Sequence, residues 1–239
     1  MMQSTTETNH QSKEIPKLPG LDLQALMEFT IDPEKTQSIL SVQKGIVAAP
    51  NRGEMIQWTV KAIEESESFK ALYNERYIPD FPSNEEFMKY PTGTLGRAIG
   101  EHLVLNGLDL AFTGIDLSVF YQKDTSALSY LAMRGIRTHD IWHALLGLTV
   151  SPVDEYMVVA FQLAQYRSPY HMTMLASGLI HTAFLEPKNI PMMLDKLHYF
   201  YKLGTDAEFV LGYKFEENYP APLTEVRKSL GLPEVLRSF

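Results

Sequence analysis

Between positions 156 and 185 the chain carries a single formal charge, Arg167. No other stretch restricts the fold as much. Residues 156–166 and 170–185 are each long enough for a helix, and Arg167-Ser168-Pro169 supplies a stop and a restart between them. A helix without a polar face has to be buried, line an apolar cavity or enter a membrane. Each half falls short of the about 20 apolar residues that span a bilayer. Two readings stay open, a buried core hairpin and the wall of a lipid-lined pocket. Met172, Met174, Met192 and Met193 suit either, because an unbranched thioether fills irregular gaps and adapts to a ligand.

Helical periodicity extends to the rest of the chain. Apolar residues recur at helical spacing over 21–29, over 33–48 after Asp32-Pro33, over 55–77 with a break near Glu65-Ser66, and over 191–203. Residues 78–91 read as a Pro-rich connection. Thr92 reads as the cap of a helix that runs from Gly93 to a stop at Asn106-Gly107, and 126–146 as one helix. Sustained two-residue alternation with turn signals is not found, so the expectation is all-α, a multi-helix bundle. Hydrophobic residues make up 45% of the 239, enough for one core over residues 21–239.

Residues 1–20 are polar, include Pro16 and Pro19, and read as a disordered tail. They lack the apolar stretch of a signal peptide. They carry Glu7 and Glu14 and no arginine, unlike a transit peptide, so the expected location is cytoplasmic. With 21 basic against 29 acidic residues and no basic cluster, nucleic acid is not an expected partner.

The chain has no cysteine, which rules out disulfides, thiol catalysis and thiolate metal ligands. The side chains best suited to a metal lie just before the uncharged stretch. His139-Asp140-Ile141-Trp142-His143 is followed after eleven residues by Glu155. On a helix His139 and His143 lie one turn apart on one face, with Asp140 close by on the same arc. Gly147 ends that helix. Ser151 reads as the cap of the next, Pro152 as its first residue and Asp154 as the capping-box acid. Glu155 then falls in the first turn of the second helix, facing back. The result is a three- or four-ligand site on a helical hairpin. Asp140 is either a ligand or a group that orients a histidine, and the shorter acid argues against the His-Glu-x-x-His protease pattern. His171 and His181 could add ligands, although hydrogen-bonded core histidines are the simpler reading.

These residues resemble the ubiquinone (coenzyme Q) biosynthesis protein 4 family. Besides His139-Asp140-x-x-His143 and Glu155, the resemblance rests on Gly93-Thr94-Leu95-Gly96-Arg97, Arg134, Leu145-Leu146-Gly147, Pro222-Leu223, Val226-Arg227 and Leu230-Gly231-Leu232. They appear in the family's order from about residue 30 to 232. Two positions depart from it: Asp154 stands where the family commonly has Gly, and Phe215-Glu216 where it has Trp-Glu.

The resemblance implies long helices around an apolar tunnel that holds a polyprenyl tail. It implies a divalent metal on His139, Asp140, His143 and Glu155, zinc first, with iron, cobalt, manganese or magnesium as alternatives. It also implies work at a membrane surface on a polyprenyl lipid, a prenyl phosphate or a quinone precursor, beside other quinone-biosynthesis enzymes, as a homodimer. Two functions follow. One is a metal-dependent lyase of the 4-hydroxy-3-methoxy-5-polyprenylbenzoate decarboxylase type, acting oxidatively at ring carbon 1. The other is a non-catalytic isoprenoid-binding scaffold. Arg134, Arg137 and Arg97 are candidates for pairing with an acidic head group. A His-Asp phosphohydrolase, drawing on His102 and Asp109 or on His171 and His181, is a weaker alternative resting on the motif alone.

Overall fold

The computed structural model of the chain describes residues 18–33, 35–109 and 126–239. The expected tail lies outside them apart from its last three residues. Among the described residues, twelve α-helices carry the fold: α1 (Leu23–Ile31), α2 (Thr36–Ala48), α3 (Arg52–Glu65), α4 (Glu67–Glu75), α5 (Asn84–Phe87), α6 (Leu95–Asn106), α7 (Ala127–Arg137), α8 (His139–Leu146), α9 (Pro152–Tyr166), α10 (Pro169–Leu185), α11 (Ile190–Asp206) and α12 (Leu223–Ser229). No strand occurs among the described residues, and the all-α expectation holds.

Most boundaries follow from capping chemistry. Asp22 accepts from the Ala25 amide at the start of α1. Ser66 separates α3 from α4 by capping the second, accepting from Phe69 N–H at 3.2 Å. Ser83 and Glu86 form a reciprocal capping box at α5, so the expected connection over 78–91 contains a helical turn. Thr94, not Thr92, caps α6. Gly107 and Gly147 end α6 and α8 at φ 64°, a conformation only glycine adopts without strain.

The expected helix over 126–146 is two. Thr138 breaks it with φ −102° and ψ 6°. Its buried hydroxyl donates to the Arg134 carbonyl at 2.9 Å and accepts from the Trp142 indole at 2.9 Å. A side chain that bonds back to its own turn competes with the helix and bends it. The bend turns His139 into the first residue of a new helix.

The uncharged stretch divides between the two readings. In α9 every residue from Tyr156 to Gln165 except Ala164 is buried, and the helix packs chiefly on α11 and α10. It is a core helix, with Trp142 edge-on to Phe161 at 5.5 Å and to Tyr166 at 5.8 Å. Helix α10 does not follow it inside. Only Leu175, Ser177, Gly178 and Thr182 are buried there, while Phe184 is 81% exposed. Gly178 brings the two helices close, since a Cβ would stand 2.7 Å from the Tyr156 ring.

The C-terminal segment closes the molecule over α6. The first amides of that helix have no partner within it. Leu95 N–H donates to the Ala221 carbonyl at 2.9 Å and Gly96 N–H to Tyr219 at 2.8 Å, while Leu223 N–H returns to Gly93 at 2.9 Å. Gly96 also lets the Tyr90 ring pack against the start of the helix, because a Cβ would lie 2.5 Å from that ring.

Candidate metal centre

Helices α8 and α9 form the hairpin that the spacing predicts. Gly147 ends the first, and Ser151 caps the second with Pro152 following it. His139 and His143 face each other one turn apart, with Nε2 atoms 3.2 Å apart. Glu155, in the first turn of α9, sets its carboxylate across both rings. Oε2 lies 3.3 Å from His139 Nε2 and Oε1 lies 3.4 Å from His143 Nε2. Among the described residues, this is the cluster with metal-ligand geometry.

The donor chemistry fits a cation. Zinc–nitrogen and zinc–oxygen bonds of about 2.0–2.2 Å in a tetrahedron put neighbouring donors about 3.3–3.5 Å apart. The observed separations match. His143 is fully buried, and its Nδ1 lies 3.0 Å from the Thr149 carbonyl. A carbonyl can only accept, so Nδ1 carries the proton and the Nε2 lone pair points into the cluster. Burial resists charge on His139 and Glu155, but their mutual hydrogen bond outweighs it. Glu155 is held far below the usual carboxylate range and His139 above the ordinary imidazole value. His139 and Glu155 are each more than a third exposed, so a small ligand can reach them.

Asp140 does not join this group. Its Oδ1 faces His102 Nε2 at 3.9 Å, on a different side of α8, and His102 stacks on the His143 ring at 5.1 Å. Three motif residues converge, and the fourth faces His102, whose ring stacks on one of them.

The three arginines are engaged elsewhere. Arg134 is buried. It donates to the carbonyls of Leu211 at 2.9 Å and Tyr213 at 2.6 Å and grips Glu216 with both terminal nitrogens at 3.0 and 3.2 Å. Arg137 donates to the Pro79 carbonyl and lies over the Phe81 ring. Arg97 holds Glu101 and the Met88 carbonyl. His181 is a hydrogen-bonded structural histidine, meeting the Thr30 carbonyl at 2.7 Å. His171 sits between the Tyr166 and Tyr170 rings with Nδ1 buried and unbonded, and burial together with the charge on His139 pushes it down to about 3. Neither completes the larger ligand set that a phosphohydrolase needs.

Asp154 departs from its expected role. Its amide donates to the Ser151 hydroxyl, as a cap requires, but its carboxylate does not return to Ser151. It accepts instead from Thr149 N–H at 2.9 Å and Thr149 Oγ1 at 2.7 Å, and from Lys196 on α11 at 2.8 Å. Nothing local in the sequence links Lys196 to the motif, and Thr149 matters through its carbonyl, which any residue would have.

An all-helical fold that presents two imidazoles and a carboxylate from one helix–turn–helix defines a class, helical proteins with a candidate mononuclear metal centre. Within it, the chain belongs to the family described as coenzyme Q (ubiquinone) biosynthesis protein Coq4, whose profile matches residues 76–235 and so includes the whole cluster. The family is one of ubiquinone biosynthesis.

The chain is 27% identical over 157 residues to the mitochondrial COQ4 homolog 2 of Paramecium tetraurelia, covering 66% of this chain and 72% of that one. It is 30% identical over 145 residues to the mitochondrial ubiquinone biosynthesis protein coq-4 of Caenorhabditis elegans, covering 59% of each chain. With the Bos taurus COQ4 homolog the match covers 52% of the relative's length, so the chain spans little more than half of some curated relatives. Its fold is shared with a crystal structure of a Nostoc punctiforme protein named as a candidate ubiquinone biosynthesis protein, at TM-score 0.73 and 22% identity, covering 89% of this chain and 96% of that one.

Proposed function

We propose that the protein binds one divalent metal through His139, His143 and Glu155. It uses that metal in prenylquinone biosynthesis, in the oxidative removal of the carboxyl group at ring carbon 1 of a polyprenyl-hydroxybenzoate. The observation that carries the reading is the convergence of three donors at tetrahedral spacing, 3.2 to 3.4 Å, with two of them, His139 and Glu155, partly exposed. In the net reaction the bond from ring carbon to carboxyl breaks, carbon dioxide leaves and a hydroxyl takes its place. This is a two-electron oxidation in which water supplies the hydroxyl and dioxygen takes two electrons and two protons to leave as hydrogen peroxide. A cation held by His139, His143 and Glu155 would supply Lewis acidity, which would stabilise negative charge developing on the ring.

The protein's own groups have separate tasks. Thr149 fixes the proton of His143 on Nδ1, so that Nε2 binds. Glu155 stays ionised and contributes the negative charge. Zinc suits the spacing, while iron, cobalt, manganese and magnesium are the alternatives, because affinity order alone does not choose.

The second reading, a scaffold that presents an isoprenoid lipid without turnover, has its own support. Helix α10 carries no charge yet leaves Met172, Ile180, Phe184 and Leu185 in solvent beside the exposed Met27 and Ile31 of α1, a surface suited to lipid or to a membrane face. No helix of the described residues is long and apolar enough to cross a membrane. A peripheral, homodimeric protein working beside other quinone-biosynthesis enzymes fits either reading.

The test is elemental and lipid mass spectrometry of the protein purified without oxygen. Iron, or exchangeable metal with a polyprenyl-aromatic ligand, supports turnover. Tight stoichiometric zinc with a plain isoprenoid supports the scaffold. His143→Ala and Glu155→Gln should each lower metal affinity by about 100-fold or more. Stoichiometric metal retained in both variants would sink the ligand assignment.

A further inference from the structure

We infer that Asp154 and Lys196 are positioning residues of the metal centre, acting on His143 through Thr149. The inference rests on the metal-binding reading and deepens it, assigning the site a support on α11, outside the hairpin that carries the ligands.

The chain of contacts starts at the ligand. His143 is fully buried, and the hydrogen bond of its Nδ1 is to the Thr149 carbonyl. The direction in which Nε2 points therefore depends on where that carbonyl stands. Thr149 lies in the turn between Gly147 and Ser151, outside both helices, so no helical ladder holds this residue in place. Asp154 does so instead. One carboxylate oxygen accepts both the Thr149 amide and the Thr149 hydroxyl, at 2.9 and 2.7 Å.

A capping role does not account for this arrangement. The cap of α9 is complete once Ser151 accepts the Asp154 amide, and it needs nothing from the Asp154 side chain. The remaining oxygen receives Lys196 at 2.8 Å. The pair is largely buried, with side-chain exposures of 17% and 11%, so it is weakly screened and holds its geometry. Lys196 is fixed in turn beneath the Phe239 ring, 5.7 Å from its centre. The C-terminal residue, α11 and the ligand turn are thus connected. Groups that orient a metal-bound histidine typically contribute 10–100-fold in metal affinity.

The experiment uses the full chain and cobalt(II) alone as the probe. Affinity is read by titration, coordination by the visible absorption band, and stability by thermal unfolding of the metal-free protein. Asp154→Asn should weaken cobalt binding by about 10–100-fold and shift the band. Lys196→Met should change both in the same direction, and the double variant should be no weaker than Asp154→Asn alone, because the two act in one path.

An unchanged band with affinity within about twofold of the parent in both single variants overturns the proposal, even if both unfold earlier, since that is the outcome for a merely structural pair. Should Asp154→Asn fail to fold, Lys196→Met decides by the same readouts. His143→Ala separates the two levels. If it keeps full cobalt affinity, the metal-binding reading falls and takes this proposal with it. If it loses cobalt while the Asp154 and Lys196 variants match the parent, this proposal alone falls.

Discussion

At the scale of the residue, the candidate centre is a balance between a proton and a cation. In the metal-free protein His139 is held above its ordinary value of about 6.5 and Glu155 below its ordinary value of about 4.3 by their contact. The stability that His139 contributes is fully present below about pH 6.5 and is lost as pH rises through its higher folded value. That of Glu155 is present above about 4.3 and is lost only as pH falls through its lower folded value. The pair therefore stabilises the metal-free protein most between these limits. A metal bound at this cluster would compete with the shared proton, so its benefit would run the other way. Thermal shifts measured with and without zinc from pH 6 to 8.5 should show the metal-induced increment growing as pH rises. An increment that is flat across that range would contradict proton–metal competition at His139. The motif was legible in sequence because i and i+4 spacing places two rings together in any helix. The placement of Asp140 against His102 was not, because another helix supplies that histidine.

At the scale of the element, one helix expected over 126–146 is two, and the bend at Thr138 belongs to the placement of the site. Arg134, in the last turn of α7, is locked to the Glu216 carboxylate and to two carbonyls of the C-terminal segment. This contact joins two separated features of the family resemblance. Arg134→Met should cost about 3–5 kcal/mol, because it strands a buried carboxylate, and the Arg134→Met/Glu216→Leu double variant should recover most of the loss. Urea unfolding checks both; a single variant as stable as the parent would mean that Glu216 finds water or another partner. Gly96 makes an equally local demand. A methyl group there meets the Tyr90 ring, so Gly96→Ala should cost about 1–3 kcal/mol in the same measurement.

At the scale of the whole molecule, the uncharged stretch divides its labour. Helix α9 fills the core and α10 covers it while keeping an apolar outer face. A net charge of −8 weakens attraction to anionic lipid, so association with a bilayer should come from apolar side chains such as Phe184 and Leu185. Phe184→Asp/Leu185→Asp should reduce co-sedimentation with phosphatidylcholine vesicles several-fold. Because both positions are exposed, stability should stay within about 0.5 kcal/mol of the parent for each change. Unchanged sedimentation would assign membrane contact to another face or to none.

The sequence by itself determined the helical class, the hairpin, the turn that brings Glu155 back to His139 and His143, and the break at Ser66. Each depends on chemistry within a few residues: helical spacing, a capping hydroxyl, a glycine that can take positive φ. Only the tertiary structure decided which uncharged helix is buried, that Arg134 is a strut for Glu216, and that Asp154 serves Thr149 and Lys196 rather than its own cap. Those outcomes join positions far apart in the chain, Arg134 to Glu216 and Asp154 to Lys196. A side chain's partner across that distance is set by how helices pack, and no local pattern encodes it.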